Sequence, residues 1–312
     1  MFSKKWNPDG KHVYITGGST GLGLSLAQLL TKKGAHVSIV ARNQDKLDKA
    51  LASLEELRVN PSQILKAYSH SLDTASASTE ALEAACHPFE GQAPDAVVTC
   101  AGGAAPGFFV ELEEKDLFNG MQNNYWVQAW TAWAAAKKMA QQKKKGSKIV
   151  LVSSTLGLMS MLGWASYAPA KHALRGLADT LHSEMMLYGV SVSIFFPPTM
   201  STPGLDQENK TKPAIVWKIE EGDGVLLTAD QAAVSLWKGI EKGDAHITAD
   251  FSTSLFRASG RGAMPRNNWI LDGLYDFVAY IAVPFWRAGV DNQVRGHIQE
   301  HEEYLGKKGF YA

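Results

Sequence analysis

The sequence predicts an α/β fold built on a doubly wound parallel sheet. Short apolar, β-branched runs typical of buried strands alternate along the chain with longer stretches of helical periodicity. The first such run leads directly into a glycine-rich turn and then a helix. Binding and catalytic residues of such sheets gather at the carboxyl ends of the strands. We therefore expect a single domain with its site at that edge.

Length, charge and cysteine content narrow the class of protein. At 312 residues the chain exceeds an average domain, yet open α/β sheets reach this size as one unit. Basic and acidic residues both number 31, so no net charge favours nucleic acid or an anionic surface. Cys86 and Cys100 are too few for a disulfide framework and suit a reducing compartment. The start of the chain lacks an apolar signal segment, so we expect no secretory signal and no N-terminal membrane span.

Six strands are predicted before the carboxyl-terminal third of the chain. They span His12–Thr16, His36–Ala41, Ile64–Ser69, Asp95–Cys100, Lys148–Val152 and Val190–Phe196. One long helix is predicted from Lys115 to Lys138, and a second from Ala165 to Tyr188. A weaker helix and strand follow between Asp230 and Thr248. This alternation of strands and helices implies a parallel sheet.

The turn after the first strand is typical of a dinucleotide site. It reads TGGSTGLG from Thr16, and its glycines let the backbone approach a pyrophosphate at the N-terminus of the next helix. We assign Gly23 to helix packing. The residues assigned to the phosphates are Gly17, Ser19, Thr20 and Gly21. The spacing is GxxxGxG rather than the commoner GxGxxG, and an ordinary glycine-rich turn is the alternative.

The letters GGSTG also match the GxSxG nucleophile elbow of hydrolases, which likewise lies between a strand and a helix. That interpretation makes Ser19 a nucleophile. It requires a later acid and then a histidine in triad order, and no histidine after a strand stands out as that partner.

The end of the second strand favours a phosphorylated dinucleotide. An NAD site usually offers an acidic residue to the ribose 2′-hydroxyl at this point, whereas this chain has Arg42. Arg42 can fork onto a 2′-phosphate and Lys46 can reach the same anion, so NADPH is the predicted cofactor. Alternatively, both are solvated charges opening the next helix. Asp73 could meet the adenine amino group or cap a helix, and Thr202 follows the sixth strand where the cofactor's far end would lie.

The stretch after the fifth strand is predicted to carry the chemistry. Ser154 lies at the strand end, Tyr167 follows thirteen residues later, and Lys171 comes four residues after the tyrosine. If residues from Ala165 onward are helical, the tyrosine and the lysine project from one face about one turn apart. A neighbouring ammonium lowers the pKa of a phenol and makes it a better proton donor. Taken alone, YxxxK also fits a solvated helix face.

The chain resembles the short-chain dehydrogenase/reductase family in three motifs that occur in this order. They are the glycine turn, the set formed by Ser154, Tyr167 and Lys171, and the turn FPPTMSTPG. The likeness covers roughly Gly10 to Gly204 and implies a Rossmann-type sheet. It implies that Tyr167 donates the proton and that Lys171 lowers its pKa and holds the nicotinamide ribose. It also implies that Ser154 binds the substrate carbonyl.

The resemblance implies further that Asn124, on the long helix, keeps a proton-relay water; without it, Asn124 would be expected to face a loop or water. The chain departs from the family at TCAG, Thr99 to Gly102, where many members have NNAG. This departure puts in doubt the usual hydrogen bonds at that strand end.

Within the family, the strings TCAGGA and DQENKTKP resemble members that reduce ketones of long-chain bases. The resemblance therefore implies a long-chain keto-base substrate, the cytosolic face of the endoplasmic reticulum membrane and a homo-oligomer, either a dimer or a tetramer. Two alternatives remain. A reductase for a steroid or a 3-ketoacyl thioester would use the same residues. A non-catalytic NADPH-binding scaffold would not need the intact Ser154, Tyr167 and Lys171 set.

Charged and helix-breaking residues from Asn209 to Gly224 predict a mobile loop that covers the site. A substrate with an ammonium head and an alkyl chain would require a carboxylate beside an apolar channel. Asp206 or Glu208 could supply that carboxylate, although exposed loop acids are usually only solvated.

The most apolar window of the chain, Trp269 to Trp286, approaches the length of a bilayer span. It carries Asp272 and Asp276, each costing about 2.5 to 3.5 kcal/mol near the centre of a span, so we expect the helix to lie in the membrane interface. An oligomer interface is the alternative. We divide the chain into a cofactor-binding domain, residues 1–265, and a carboxyl-terminal extension, residues 266–312, which contains this apolar window. The predicted apolar face comprises Ile270, Leu274, Phe277, Val278, Ile281 and Phe285.

His297 and His301 match the HxxEH pattern of some zinc enzymes. Both lie in a polar stretch near the chain end with no third ligand in evidence, so a solvated helix face is the better interpretation and we expect no metal site.

Overall fold

A seven-stranded parallel sheet forms the centre of the chain in the computed structural model, which describes residues 5–220, 226–260 and 267–308. Its strands are β1 His12–Thr16, β2 His36–Ala41, β3 Leu65–Ser69, β4 Ala96–Thr99, β5 Lys148–Val152, β6 Ser191–Phe196 and β9 His246–Thr248. Their spatial order is β3-β2-β1-β4-β5-β6-β9. Two short strands, β7 Met200–Ser201 and β8 Leu227–Thr228, pair separately.

Twelve α-helices connect and flank these strands in the described residues. The first six are α1 Gly21–Thr31, α2 Gln44–Glu55, α3 Ala75–Cys86, α4 Glu114–Met121, α5 Val127–Gln141 and α6 Ala168–Glu184. The others are α7 Pro203–Glu208, α8 Ala214–Glu220, α9 Ala229–Lys242, α10 Phe251–Ser259, α11 Trp269–Gly296 and α12 Ile298–Lys307.

Helices cover both faces of the sheet, as the predicted doubly wound fold requires. Leu26, Leu47 and Leu236, from α1, α2 and α9, are buried on one face. Met139 and Leu174, from α5 and α6, are buried on the other with residues of α3. The strand order reverses between β1 and β4, and ligands of open α/β sheets bind at such a reversal. The predicted fold class is confirmed, with strand bounds that differ by one residue at β3, β4 and β6.

Two predicted helices differ from those observed. The long helix is not regular throughout, because a π-helical segment, Gln122–Trp126, separates α4 from α5. The catalytic helix α6 starts at Ala168 rather than Ala165, with Tyr167 at its N-cap position. Pro169 lies in the first turn of α6. Proline is tolerated there because the N–H it lacks would have no helical partner, so its position explains the late start.

The segment predicted as a loop over the site contains a helix instead. α8 forms within it because Ile215, Val216 and Ile219 bury their side chains against a small apolar cluster that includes Trp164 and Val290. Burial of this apolar face outweighs the breaker residues on either side. The end of the predicted loop, residues 221–224, lies outside the described residues.

The carboxyl-terminal extension packs on α10 through α11. Asp272 of α11 and Arg257 of α10 form a buried, bidentate ion pair, which fixes one face of α11 against the domain. The predicted boundary between residues 265 and 266 lies outside the described residues. Within the described residues, no helix combines the length and the apolarity needed to cross a membrane.

Candidate active site

A cavity of about 1130 Å³ opens at the carboxyl ends of the strands. Every residue that the sequence assigned to cofactor binding or catalysis lines it: Gly17, Ser19, Thr20, Gly21, Arg42, Lys46, Asp73, Asn124, Ser154, Tyr167, Lys171 and Thr202. The predicted site is therefore one continuous space, although its residues come from five different strand ends and the helices between them.

The glycine turn brings backbone to the floor of this cavity. Gly17 has φ +65°, and a Cβ there would lie 2.8 Å from the backbone nitrogen of Ala101. A Cβ at Gly23 would lie 2.4 Å from the carbonyl oxygen of Gly17, in agreement with the predicted packing role of Gly23. Thr20 is the N-cap of α1 but makes no capping hydrogen bond with its side chain. The first backbone N–H groups of α1 therefore face the cavity beside glycines, which carry no side chain. Such a site fits a pyrophosphate.

The far end of the cavity carries positive charge. Arg42 and Lys46 both line it and are exposed, while Asn43 caps α2 by accepting from the Lys46 N–H at 2.8 Å. Thr74, not Asp73, caps α3, since its Oγ1 accepts from Ala77 N–H at 3.2 Å. The capping alternative for Asp73 is thus wrong, and its carboxylate remains in the cavity wall.

Thr202 lies closer to the glycine turn than the sequence suggested. It caps α7 by accepting from the Leu205 N–H at 3.3 Å. Its Cγ2 would be 3.4 Å from a Cβ on Gly21, so its methyl group lies directly against the turn.

The serine and the tyrosine are brought together as predicted. Ser154 lies just after β5, and its Oγ accepts from the Leu156 N–H at 3.2 Å. Its hydroxyl lies near enough to Tyr167 to lower the pKa of the phenol. Tyr167 lies in the cavity wall at the start of α6. Two hydroxyl groups therefore face the same space, which is the arrangement needed to hold a carbonyl oxygen.

Lys171 lies beneath this pair. Its side chain is buried, its Nζ donates to the carbonyl oxygen of Val152 at 3.1 Å, and the same Nζ is 5.3 Å from the centre of the Tyr167 ring. Burial lowers the pKa of Lys171 to about 7, because the charged form is poorly solvated there.

The pKa of Tyr167 moves opposite to the predicted direction. Burial raises it, the negative charge of Glu208 raises it further, and the hydrogen bond with Ser154 opposes them. The expected lowering by Lys171 is absent, since burial also disfavours the ammonium form of Lys171. The phenol is consequently fully protonated at neutral pH, which is the form that can donate a proton.

Asn124 lies in the π-helical segment and is almost fully buried. Its Nδ2 donates to the carbonyl oxygens of Gly103 at 2.7 Å and Gly120 at 3.1 Å, and its Oδ1 accepts from the Gly103 N–H at 3.2 Å. It therefore ties the loop after β4 to the helix. π-Helical turns often occur at functional sites, and the role of Asn124 in holding a water stays a prediction.

Gln128, which the sequence did not single out, compensates for the TCAG departure. Its Oε1 accepts from Thr99 Oγ1 at 2.7 Å and from the Val152 N–H at 3.0 Å, and its Nε2 donates to the Val152 carbonyl at 2.9 Å. The ends of β4 and β5 are thus joined by one buried amide. A polar residue on the buried face of α5 was the available signal.

Glu208 lines the cavity, whereas Asp206 is exposed and outside its lining. The assignment of a cavity carboxylate to Asp206 is therefore wrong. Lys212 and Glu220, which the sequence did not single out, line the cavity beside Glu208, and the lysine forms ion pairs with both acids.

Comparison with known proteins agrees with this geometry. The sequence model of the family described as short chain dehydrogenase matches residues 11–213, most of the chain. The chain belongs to that family.

Several similar proteins carry the same activity in their names. The 3-ketodihydrosphingosine reductase TSC10 of Cryptococcus neoformans var. neoformans serotype D is 44% identical over 98% of this chain and 91% of its own length. The 3-ketodihydrosphingosine reductase of Dictyostelium discoideum is 33% identical over 82% of this chain and 79% of its own. The 3-dehydrosphinganine reductase of Danio rerio is 35% identical over 70% of this chain and 64% of its own.

Membership of the short chain dehydrogenase family makes this chain an oxidoreductase that uses a nicotinamide cofactor. The residues fit that group: the turn at Gly17 and Gly21 for the pyrophosphate, Arg42 and Lys46 at one end, and Lys171 beside Tyr167 at the other.

The hydrolase and zinc alternatives find no support in the site. In the described part of the chain, Ser19 makes no hydrogen bond to a histidine, and no three His, Cys, Asp or Glu side chains gather to hold a metal ion. His297 pairs with Glu300 at 2.8 Å, while the His301 ring packs 4.3 Å from that of Phe108.

Proposed function

We propose that this protein reduces the C3 ketone of 3-ketodihydrosphingosine to a hydroxyl, giving dihydrosphingosine, a step in making sphingolipid bases, with NADPH as reductant. The observation that carries the substrate assignment is 44% identity over 98% of the chain to a reductase with this activity in its name. The cavity adds the hydroxyl pair and the buried amine that ketone reduction uses.

The chain's own residues stabilise charge and move one proton. The nicotinamide cofactor supplies the hydride that adds to the ketone carbon. Negative charge then develops on the carbonyl oxygen, where the hydroxyls of Ser154 and Tyr167 stabilise it. The O–H bond of Tyr167 breaks as its proton passes to this oxygen, which yields the alcohol and a phenolate. Ser154 stabilises the phenolate by hydrogen bonding. Lys171, whose Nζ lies 5.3 Å from the centre of the Tyr167 ring, stabilises it by charge once the amine has taken up a proton.

A substrate panel tests this function. We would follow NADPH oxidation in detergent with 3-ketodihydrosphingosine, a steroid ketone and a 3-ketoacyl thioester. Turnover should be fastest with the keto base. Faster turnover of another ketone would favour a different lipid reductase, and NADPH binding without turnover of any ketone would favour a non-catalytic scaffold.

The choice of NADPH over NADH rests on Arg42 and Lys46. Both line the cavity at the end of β2, and the nearest acid on α2, Asp45, is outside the cavity lining in the described residues. A guanidinium binds a 2′-phosphate by paired, charge-assisted hydrogen bonds, while an acid at this position would repel it.

We expect Arg42→Asp to lower kcat/KM for NADPH on the order of 100-fold and to raise it for NADH, because hydrogen bonds to charged groups contribute about 1.5 to 3 kcal/mol. Initial rates with both cofactors measure this. Lys49→Asp, which makes the same charge change at an exposed position outside the cavity, is the matched control. An Arg42→Asp enzyme that still prefers NADPH would contradict the assignment.

We propose that α11 lies on the cytosolic face of the endoplasmic reticulum membrane. The face predicted to be apolar is largely exposed: Ile270 by 88%, Phe277 by 65% and Phe285 by 76%. Asp272 lies on the opposite side in its buried pair with Arg257. The buried ion pair of Asp272 fixes the orientation of α11, so the apolar face of this helix points away from the domain. A helix that exposes an apolar face in this way suits the membrane interface. Protease sensitivity of the catalytic domain in intact microsomes would support the cytosolic side, and protection would contradict it.

Exchanging Ile270, Phe277 and Phe285 for serine should abolish most binding to phosphatidylcholine vesicles, since fully burying each such side chain contributes about 1.5 to 3 kcal/mol. Vesicle co-sedimentation measures this. The matched control replaces the exposed Met186 and Leu187 by serine, which removes apolar surface elsewhere. If the triple variant binds vesicles as well as the wild type does, α11 is not the membrane contact.

We also propose that the protein forms a homo-oligomer, a dimer or a tetramer. Support comes from an aromatic strip that runs along α4, the π-helical segment and α5. In this strip Phe118 and Trp133 are exposed, and Trp126 stacks on Trp130 with ring centres 4.8 Å apart. Exposed aromatic clusters are typical of subunit contacts. A monomeric mass by light scattering in detergent would contradict this assignment.

A further inference from the structure

The ammonium group of Lys212 lies at the centre of a cage. Its Nζ is 2.7 Å from Glu208 Oε1 and 2.6 Å from Glu220 Oε2. The same Nζ lies 5.3 Å from the ring centre of Trp164 and 5.1 Å from that of Trp217. Carboxylates together with indole faces are the groups that proteins use to bind organic ammonium ions. We call Glu208, Glu220, Trp164 and Trp217 the ammonium cage.

The ammonium cage belongs to the wall of the catalytic cavity. Trp164, Trp217, Glu208 and Glu220 all line that cavity. The Trp164 ring lies 5.4 Å from the ring of Tyr167, so one indole borders both the cage and the catalytic phenol. The indole Nε1 of Trp164 is buried without a hydrogen-bond partner among the described residues, which leaves a donor for an oxygen on a bound ligand.

The cage carries one negative charge more than Lys212 neutralises. Burial raises the pKa of Glu208 while the lysine lowers it, and the pKa of Lys212 is raised by its two acids although burial opposes this. The two carboxyl groups and the one ammonium group give this cluster a formal net charge of −1. Uncompensated charge in a partly buried site is costly, and a second cation beside Glu208 would neutralise it.

We propose that the ammonium cage binds the ammonium group of the amino ketone substrate, with Glu208 as its direct partner while Lys212 stays on Glu220. This inference rests on the proposed function, because it names how that substrate is recognised. In a 2-amino-3-ketone the nitrogen is two bonds from the carbonyl carbon. A ketone held by Ser154 and Tyr167 therefore places its ammonium group beside the phenol, where the cage adjoins Trp164.

The placement links recognition to catalysis. The charge of Glu208 disfavours the phenolate that Tyr167 becomes. A substrate ammonium on Glu208 cancels that charge, so an amino ketone removes the penalty as it binds. A neutral ketone leaves the penalty in place. The preference of the enzyme for a ketone with a free amino group should therefore appear in kcat as well as in KM.

The test compares 3-ketodihydrosphingosine with its N-acetylated analogue, which lacks the charge. We expect the wild type to prefer the free amine in kcat/KM by about 10- to 100-fold, the size of a charge-assisted hydrogen bond. Glu208→Gln should bring this ratio close to one. Asp206→Asn removes a charge two residues away on α7, at an exposed position outside the cavity, and should keep the wild-type ratio.

A binding measurement does not depend on how well the variant folds. On the wild-type protein with NADP⁺, dihydrosphingosine should raise Tm more than N-acetyl-dihydrosphingosine at equal concentration. Equal shifts would overturn the cage. A wild type that reduces the keto base while Glu208→Gln keeps the full preference for the free amine would also overturn the cage, yet leave the proposed function intact. A wild type that reduces no long-chain keto base would overturn the proposed function and the cage together.

Discussion

Replacing Tyr167 by phenylalanine should lower kcat by about 10²- to 10⁴-fold, the range over which a positioned general acid accelerates a reaction. The substitution removes one oxygen, so the alkoxide formed on hydride addition has no proton donor in the cavity wall at that point. Ser154 keeps its hydrogen bond from Leu156 and can still hold the carbonyl, so binding of the ketone should weaken much less than turnover.

The measurement is kcat with 3-ketodihydrosphingosine at saturating NADPH, together with cofactor affinity and Tm to show that the variant folds. Tyr125→Phe is the matched control. It makes the same chemical change next to Asn124, but Tyr125 is outside the lining of the cavity and packs on Trp126. Undiminished turnover by a folded Tyr167→Phe enzyme would remove Tyr167 as the proton donor.

The sequence was sufficient to predict the sheet and to place the candidate site residues at one edge of it, because both depend on local signals. Strand runs and the glycine turn are read over a few residues, and parallel connections then bring the carboxyl ends of strands to one edge. Gly17 is far in the chain from Ser154 and Tyr167, yet each of the three follows a strand or begins a helix. Their meeting in one cavity follows from the fold class alone.

Features set by tertiary contact were not predictable in this way. The π-helical segment begins two residues after Gly120, where a Cβ would overlap the Ser166 carbonyl. Close approach of α4 to the turn before α6 therefore shapes that segment. Lys212 and Glu220 are eight residues apart, and their pairing depends on α8 forming beneath them. The direction of the pKa of Tyr167 depends on how deeply the phenol is enclosed, which spacing along a helix does not report.

The ammonium cage shows why the segment after α7 is charged without being a simple solvated loop. Asp206 and Glu208 look equivalent in sequence, but the structure exposes the first and turns the second into the cavity. The side chains of Ile215 and Val216 anchor α8 in a buried apolar cluster, while the ring of Trp217 faces Lys212. One short helix therefore supplies both an apolar anchor and part of a polar recognition surface.

Lys171→Met should lower kcat by on the order of 100-fold or more and should also change how stability depends on pH. Burial lowers the pKa of Lys171 to about 7 in the folded protein, against 10.5 when the group is free. Between these values the unfolded chain binds one more proton than the folded chain, so the free energy of unfolding rises with pH across this window. For one proton the slope is at most about 1.4 kcal/mol per pH unit. Methionine removes the slope because it keeps the volume and loses the charge.

Urea denaturation of the cofactor-free protein at pH 7 and at pH 9.5 measures this slope. Lys171→Met should be more stable than the wild type near pH 7, and the difference should shrink as the pH rises toward 10.5. The exposed Lys238→Met is the control and should follow the wild type at both pH values. In the proposed mechanism the ammonium beside the phenol supports turnover, so the same buried lysine would lower stability at neutral pH and serve catalysis. Suppose that the free energy of unfolding of Lys171→Met changed with pH as that of the wild type does, and that its kcat were normal. Burial would then not lower the pKa of Lys171, and Lys171 would have no part in proton donation.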